Sequence, residues 1–170
     1  MQTFKILDLD GTLMPTHHID NQCFWQAVDE VFQTNQGVIE LHQFQNVTDN
    51  GIISEWCERT LGRPPKGAEL IAVRGRFLER LEHAAEQQPG LFTPLPGVTE
   101  WLAQQAPDTM AVATGGWEHT ARFKLAYAGL DHFRLPLASS DQGATRTAIM
   151  RHALEKLCTG DLPNPAAVTY

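Results

Sequence analysis

The amino-acid sequence predicts an α/β fold: a three-layer, Rossmann-like core on a parallel sheet, with an α-helical cap inserted after the first strand. Three observations lead to this prediction. Short apolar runs end in clusters of polar residues, and helical patterns separate the later runs. The stretch of about 80 residues after the first run carries helical patterns and no clear strand.

Four short apolar runs are the candidate strands. Each is bounded by turn-forming or polar residues, a pattern typical of buried strands. The first three runs end at Asp8, Thr114 and Ser139, and the last one is the beginning of a fourth strand. The runs cover residues 3–7, 109–113, 134–138 and 166–170.

Helical spacing of apolar residues lies between the later runs. Val98, Trp101 and Leu102 predict one helix and are expected in the core, and further helices are predicted over residues 117–128 and 145–157. Strands that alternate with helices imply right-handed crossovers and a parallel sheet. Because such sheets bind ligands at the carboxyl ends of their strands, the polar residues that follow the runs form the candidate site.

The segment between the first two strands carries three apolar stripes at helical spacing, over residues 23–32, 52–61 and 70–85. We therefore predict a helical cap over residues 15–93. The core would then consist of residues 1–14 and 94–170.

The composition narrows the choice of partners. The formal net charge is −7, which argues against a nucleic acid or an anionic membrane as partner, because such partners usually need a basic face. No stretch approaches the roughly 20 apolar residues of a membrane span. Lys5 lies inside the first apolar run and Asp8 directly follows it, and these charges argue against a signal peptide. Three scattered cysteines suit a reducing compartment. We expect a cytoplasmic monomer that binds neither nucleic acid nor membrane.

The first strand ends in two aspartates, Asp8 and Asp10, which can converge on one point once the chain turns at Gly11. Paired carboxylates suit Mg²⁺, a hard cation that takes oxygen ligands. One carboxylate can attack phosphorus to form an aspartyl phosphate, and the other can protonate the leaving oxygen and then activate water. Taken alone, the pair is equally compatible with a polar strand end that begins a turn.

The whole string from Phe4 to Leu13, FKILDLDGTL, resembles the first motif of the haloacid dehalogenase superfamily. The resemblance implies that Asp8 is the nucleophile and that Asp10 is the general acid/base. It also implies a Mg²⁺ cofactor held by Asp8 and by the main-chain carbonyl of Asp10. The inserted helices resemble the cap of the branch that includes phosphoglycolate phosphatases and β-phosphoglucomutases.

The resemblance assigns phosphate-binding roles to residues after the second and third strands. Thr114 stands where the family has a hydroxyl residue that binds the phosphoryl group together with the next N–H, here Gly115. A hydroxyl and free amides at a helix start form a good anion site, although the same residues also suit an ordinary turn. The family normally has a lysine after the third strand, where this sequence offers Arg146, a residue able to hold phosphate or to lie solvated in a helix's first turn.

The fourth motif of the family, acidic metal ligands just after the fourth strand, has no counterpart in this sequence. Asp161 is the only acidic residue among the last ten positions, and it precedes the expected strand. We therefore expect a core that is truncated at its C-terminus, either as a fragment or as a natural truncation.

These patterns lead to a functional hypothesis, a Mg²⁺-dependent phosphatase that hydrolyses a small phosphorylated metabolite through an aspartyl phosphate. An acid at position 10 favours phosphate esters, because dehalogenases of the family lack it. The main alternative is a catalytically silent relative that binds a phosphorylated ligand or a protein partner. Two others are less compatible with the sequence. A receiver-type signalling domain has no reason for the long insertion, and a fortuitous pair of aspartates leaves the agreement at Thr114 and Arg146 unexplained.

Overall fold

The computed structural model of the chain describes residues 3–158 and 168–170. Its strands are β1 (Phe4–Leu7), β2 (Met110–Ala113), β3 (Leu137–Ala138) and β4 (Val168–Thr169). Its helices are α1 (His17–Phe32), α2 (Asp49–Leu61), α3 (Gly67–Gln87), α4 (Val98–Ala103), α5 (Glu118–Tyr127) and α6 (Arg146–Leu157). None of these helices is long and apolar enough to cross a membrane.

The four strands form one parallel sheet in the order β3-β2-β1-β4. β2 lies inside the sheet and is buried along its whole length, as the continuous apolar run Met110–Ala113 predicts. The parallel arrangement brings the carboxyl ends of β1, β2 and β3 to one edge. Asp8, Thr114 and Ser139 therefore follow neighbouring strands at the same edge of the sheet.

Helices cover both faces of the sheet, so the core has three layers. On one face, α6 contributes Ile149 and Ala153 to a cluster with Ile6 and Ala111. On the other face, α4 and α5 contribute residues such as Leu102 and Leu125, which pack with Leu9, Met110 and Val112. The predicted α/β class, with its parallel sheet and inserted helices, is confirmed.

The insertion after β1 consists of α1, α2 and α3 with their connections, and α1 packs along α3. Its core is rich in aromatic rings, including Phe24 and Phe77, whose rings meet edge to face at 5.6 Å. Trp117, which directly precedes α5, is fully buried in the same cluster. The insertion and the sheet therefore share packing at the carboxyl end of β2. The division of the chain at residues 15 and 93 stays a prediction.

Two local expectations are wrong. The third strand is confined to Leu137–Ala138, because the chain makes a 3₁₀ turn over Asp131–Phe133 and Arg134 then adopts a left-handed backbone conformation with φ of 51°. Trp101 is 39% exposed and does not lie in the core, because α4 buries Leu102 on its inner face. Asp161 lies outside the described residues.

Candidate active site

A cavity of about 100 Å³ opens at the carboxyl ends of β1 and β2. The sheet side of its wall includes Asp8, Asp10 and Thr114, and the insertion closes the other side with residues from α1, α2 and the loop before α2. Four aspartates line it, two from the turn after β1 and two from the insertion. The predicted site residues therefore lie around one cavity.

The turn after β1 places the first two aspartates. The carbonyl of Leu9 accepts hydrogen bonds from the N–H groups of Thr12, Leu13 and Met14, which curls the chain back on itself. Gly11 has φ of 85°, a conformation that side chains with a Cβ rarely adopt, and its N–H donates to the carbonyl of Met14 at 2.7 Å. This turn is what allows Asp8 and Asp10 to face the same cavity.

Asp8 is held by hydrogen bonds to a single carboxylate oxygen. Oδ1 accepts from the N–H of Leu9 at 2.9 Å and from Nη1 of Arg146 at 3.1 Å. Among the described residues none donates to Oδ2, and the side chain is 23% exposed. One oxygen of Asp8 is therefore fixed and charge-paired, while the other is available to a ligand in the cavity.

Asp10 is held by a lysine that the sequence analysis did not single out. Nζ of Lys124, on α5, lies 2.7 Å from both carboxylate oxygens of Asp10 and 2.6 Å from Oδ1 of Asp20. Thr16, which is fully buried, donates its hydroxyl to Oδ1 of Asp10 at 2.5 Å. Lys124 is itself 0% exposed, so its ammonium group has left water entirely and depends on these two carboxylates.

The buried charges shift the pKa values of their neighbours. Burial alone would lower the pKa of Lys124, but the carboxylates of Asp10 and Asp20 outweigh it and raise that pKa above its ordinary value. Burial and the Asp10 carboxylate raise the pKa of Asp20 to about 6, although Lys124 opposes the shift. The ammonium of Lys124 thus stays charged, and Asp20 exchanges its proton closer to neutral pH than a solvated aspartate does.

Thr114 and Gly115, after β2, line the sheet side of the cavity beside the turn that carries Asp8. Thr114 is buried, and its Oγ1 accepts from the N–H of Gly116 at 3.1 Å. A Cβ at Gly115 would lie 2.7 Å from the guanidinium carbon of Arg146, so a side chain there would displace the guanidinium from its present position. Arg146 also donates from Nε to the carbonyl of Val47 at 3.1 Å. The hydroxyl of Thr114, the Gly115 backbone and the guanidinium therefore face the same cavity as Asp8.

Asp49, at the start of α2, fastens the insertion to the turn after β2. Its N–H donates to the carbonyl of Gly115, and its Oδ2 accepts from the N–H of Trp117, both at 2.8 Å. Next to it, Asn50 accepts from Nε1 of Trp117 at 2.7 Å. Burial raises the pKa of Asp49 well above its ordinary value, with a further contribution from the Asp20 carboxylate. The carboxyl is thus fixed over the cavity by main-chain contacts.

A second set of contacts holds the insertion to the sheet at the outer side of Trp117. The guanidinium of Arg74, on α3, lies 4.8 Å from the centre of a Trp117 ring and forms an ion pair with Asp141. Burial opposes ionisation of Asp141, but the Glu118 N–H and the Arg74 guanidinium hold its pKa below the ordinary value. Arg74 is therefore used in binding the core and does not line the cavity.

The structure gathers the predicted catalytic and phosphate-binding residues around the cavity, whereas Ser139, which follows β3, does not line it. It adds four residues to the site: Thr16, Asp20, Asp49 and Lys124. One signal could have revealed Lys124. On α5 it follows Thr120 and Ala121 by four and three residues, and both are buried, so helical spacing places a lysine on the inner face. The aspartates of the insertion gave no signal, because only the packing of α1 and α2 brings them to the cavity.

The oxygen atoms near Asp8 show whether the site could coordinate the predicted Mg²⁺. Among residues 3–158 and 168–170, no group of three or more His, Cys, Asp or Glu side chains is placed to hold a metal ion. Both carboxylate oxygens of Asp10 face Lys124, whereas no described residue donates to Oδ2 of Asp8. Mg²⁺ commonly takes one or two carboxylates together with waters and substrate phosphate oxygens, so Asp8 fits as one ligand of such an ion.

Comparison with known proteins identifies the fold. The sequence matches no protein-family model, and no curated protein matches it either. A hydrolase from Pseudomonas syringae is similar in structure, with a TM-score of 0.68 and 20% identity over 92% of this chain and 71% of that one. A predicted phosphoglycolate phosphatase from Haemophilus somnus gives a TM-score of 0.52 and 16% identity over 81% of this chain and 62% of that one. A magnesium-bound putative hydrolase of the haloacid dehalogenase family from Bacillus subtilis gives a TM-score of 0.50 and 13% identity over 95% of this chain and 75% of that one. The chain has the haloacid dehalogenase-like fold.

Proposed function

We propose that this chain, with its haloacid dehalogenase-like fold, is a Mg²⁺-dependent phosphatase that hydrolyses a small phosphate monoester through an aspartyl phosphate on Asp8. The proposal depends mainly on one observation, the hydrogen bonding of the Asp8 carboxylate, in which one oxygen is paired and the other is not. Arg146 and the N–H of Leu9 fix Oδ1, and no described residue donates to Oδ2 in a cavity that Thr114 and Gly115 also line. A nucleophile and anion-binding groups thus share one cavity.

In the first step Oδ2 of Asp8 attacks phosphorus and the bond from phosphorus to the leaving oxygen breaks. Negative charge on the phosphoryl oxygens is stabilised by the Arg146 guanidinium and by the hydroxyl of Thr114. Arg146 is suited to this role because its planar fork can contact Asp8 and a phosphoryl oxygen at once. A bound Mg²⁺, held by Asp8 and the carbonyl of Asp10, would add positive charge beside the same phosphoryl oxygens.

Asp10 handles the proton in both steps. As the acid, it must first take up a proton from solvent in the substrate complex, against its ion pair with Lys124, and pass that proton to the leaving oxygen. The Lys124 ammonium, 2.7 Å away, then stabilises the carboxylate that results. That carboxylate then takes a proton from the water that hydrolyses the aspartyl phosphate, which restores the acid. Thr16 fixes the orientation of Asp10 throughout, through its 2.5 Å hydrogen bond.

The fold by itself does not select the reaction, because one fold serves many chemistries. The choice of phosphate esters over haloacids depends on Asp10. An acid so placed is useful when a poor leaving group such as an alkoxide must be protonated, whereas a halide leaves without a proton. The buried lysine and threonine that hold Asp10 in place support a role for it in the chemistry.

The test is release of inorganic phosphate from a panel of small phosphate monoesters, with and without Mg²⁺. We expect Mg²⁺-dependent release that falls by at least about a thousandfold in Asp8→Asn, because the amide is a far weaker nucleophile. Asp108→Asn is the matched control, since Asp108 is an exposed aspartate that precedes β2, at the end of that strand opposite to the cavity.

A folded wild-type chain that releases no phosphate from any ester would contradict the proposal and favour the silent, ligand-binding alternative. Retention of full activity in Asp8→Asn would contradict it as well. Circular dichroism of each variant establishes that a loss of activity is not a loss of fold.

A further inference from the structure

The part of the cavity beyond the phosphate-binding wall is built from the insertion. Its polar residues are Asp20 and Asn21 on α1 and Asp49 on α2, and its apolar residues include Phe24 and Ile52. If Asp8 attacks phosphorus as proposed above, this wall faces the leaving group. Its chemistry therefore decides which alcohols are accepted.

This wall presents hydrogen-bond acceptors that lack donors. The side-chain oxygen of Asn21 is buried, and none of the described residues donates a hydrogen bond to it. Asp49 is 7% exposed and accepts from the N–H of Trp117 through Oδ2, while no described residue donates to its Oδ1. A buried polar atom without a partner is costly, which applies to the Asn21 oxygen, and Oδ1 of Asp49 is open to the same cavity; both are suited to a ligand that brings N–H or O–H groups.

The cationic side chains near this wall already form ion pairs with aspartates. Lys124 lies behind the wall, where Asp10 and Asp20 take up its ammonium, and Arg146 is paired with Asp8 at the phosphate end. Among the described lining residues, Arg146 is the sole lysine or arginine. A second anionic group on the leaving alcohol would therefore be buried against the carboxyl oxygens of Asp20 and Asp49 without a cation to receive it, and a buried anion without a partner is strongly unfavourable.

The size of the cavity limits the leaving group. Its volume of about 100 Å³ is well below the roughly 300–1,000 Å³ of typical small-molecule sites, so the site suits a small leaving group.

We propose that the site selects phosphate monoesters of small alcohols that carry hydroxyl or ammonium groups and no second anion, and that Asp49 is a specificity-determining residue. The proposal rests on the proposed phosphatase function and names its substrate class. Glycerol phosphate and ethanolamine phosphate belong to this class, whereas phosphoglycolate, which is of similar size but carries a carboxylate, does not.

The experiment compares kcat/KM for glycerol 1-phosphate, ethanolamine phosphate and phosphoglycolate on the same enzyme preparation. We expect the first two to exceed phosphoglycolate by on the order of tenfold or more, because unpaired buried polar and charged groups discriminate strongly. Asp49→Asn keeps an acceptor for the Trp117 N–H and replaces Oδ1 with an amide N–H₂ group that can donate to a carboxylate, so it should narrow the ratio by several-fold. Asp108→Asn should leave the ratio unchanged.

Binding to Asp8→Asn, measured by calorimetry with the same three esters, separates this proposal from the phosphatase proposal. If no ester is hydrolysed but glycerol phosphate and ethanolamine phosphate bind more tightly than phosphoglycolate, the phosphatase proposal fails and the selectivity stands. If hydrolysis is found and phosphoglycolate is an equal or better substrate, the selectivity proposal is wrong while the phosphatase function stands. If Asp49→Asn leaves the ratio of kcat/KM between these esters and phosphoglycolate unaltered, Asp49 does not determine specificity.

Discussion

Replacement of Lys124 by methionine tests the buried ion cluster directly. Methionine keeps most of the length and apolar packing of the lysine stem, so the change removes the ammonium without opening a large cavity. Removal of one partner from a buried ion pair typically costs about 3–5 kcal/mol, because the remaining charge loses its compensation. Lys124 is 0% exposed, whereas the side chains of Asp10 and Asp20 are each 17% exposed, so water can partly solvate the carboxylates left behind. We therefore expect a loss of about 3 kcal/mol in the free energy of unfolding.

The loss should depend on pH in a defined direction. Lys124 lowers the pKa of Asp20, which is nevertheless raised to about 6 by burial and by Asp10. Without the lysine, the folded-state pKa of Asp20 rises further, so the ionised carboxylate is penalised more in the folded state than in the unfolded one. At a pH below the pKa of Asp20 in both the folded and the unfolded state, the carboxyl is neutral and ionisation no longer penalises the folded state. The destabilisation should therefore be larger at pH 8 than at pH 5.

Urea unfolding followed by tryptophan fluorescence measures the effect as a shift in midpoint at constant slope. Arg122→Met is the matched control. Arg122 lies on the same helix and pairs with Glu118, but its side chain is 61% exposed, so its removal should cost less than about 1 kcal/mol. Equal costs for the two variants, or a Lys124→Met cost that does not change between pH 5 and pH 8, would refute the reasoning about the buried cluster.

Two further predictions concern the insertion. The raised pKa of Asp49 means that its ionised form is disfavoured in the folded state, so its contribution to stability is most favourable below pH 4 and declines as pH rises through the folded-state pKa. Asp49→Asn should therefore gain stability relative to wild type as pH rises from 4 to 8 in urea titrations, and a difference that is constant with pH would contradict this. Gly51→Ala should destabilise by about 1–3 kcal/mol, because the new Cβ would lie 2.6 Å from the carbonyl oxygen of Asn46. Gly75→Ala, on an exposed helix position with nothing within 4 Å, should instead stabilise by about 0.4–1 kcal/mol in the same denaturation assay, and the reverse order of the two alanine variants would argue against the packing described around α2.

The sequence was informative wherever function depends on residues that are close together in the chain. The string from Phe4 to Leu13 contains the strand, the turn glycine and both aspartates. These features lie within ten positions of one another, so the sequence alone shows their arrangement. Thr114 and Arg146 could be assigned because parallel strands deliver their carboxyl ends to one edge, whatever the length of the connections. The pattern of runs and helices thus determined the sheet, its three layers and the side on which the site lies.

The tertiary structure decided how charge is arranged around those residues. Lys124 is 114 positions from Asp10, and nothing local to either residue indicates that they form an ion pair. Asp20 and Asp49 reach the cavity because α1 and α2 fold over the carboxyl ends of the strands, a placement set by aromatic packing between α1, α3 and Trp117. Burial then shifts the pKa values of these groups, and burial depends on neighbours that are distant in sequence. The sequence by itself determined the fold and the candidate nucleophile, whereas only the tertiary structure brought the acidic wall and its buried lysine together, since long-range packing and desolvation leave no local pattern.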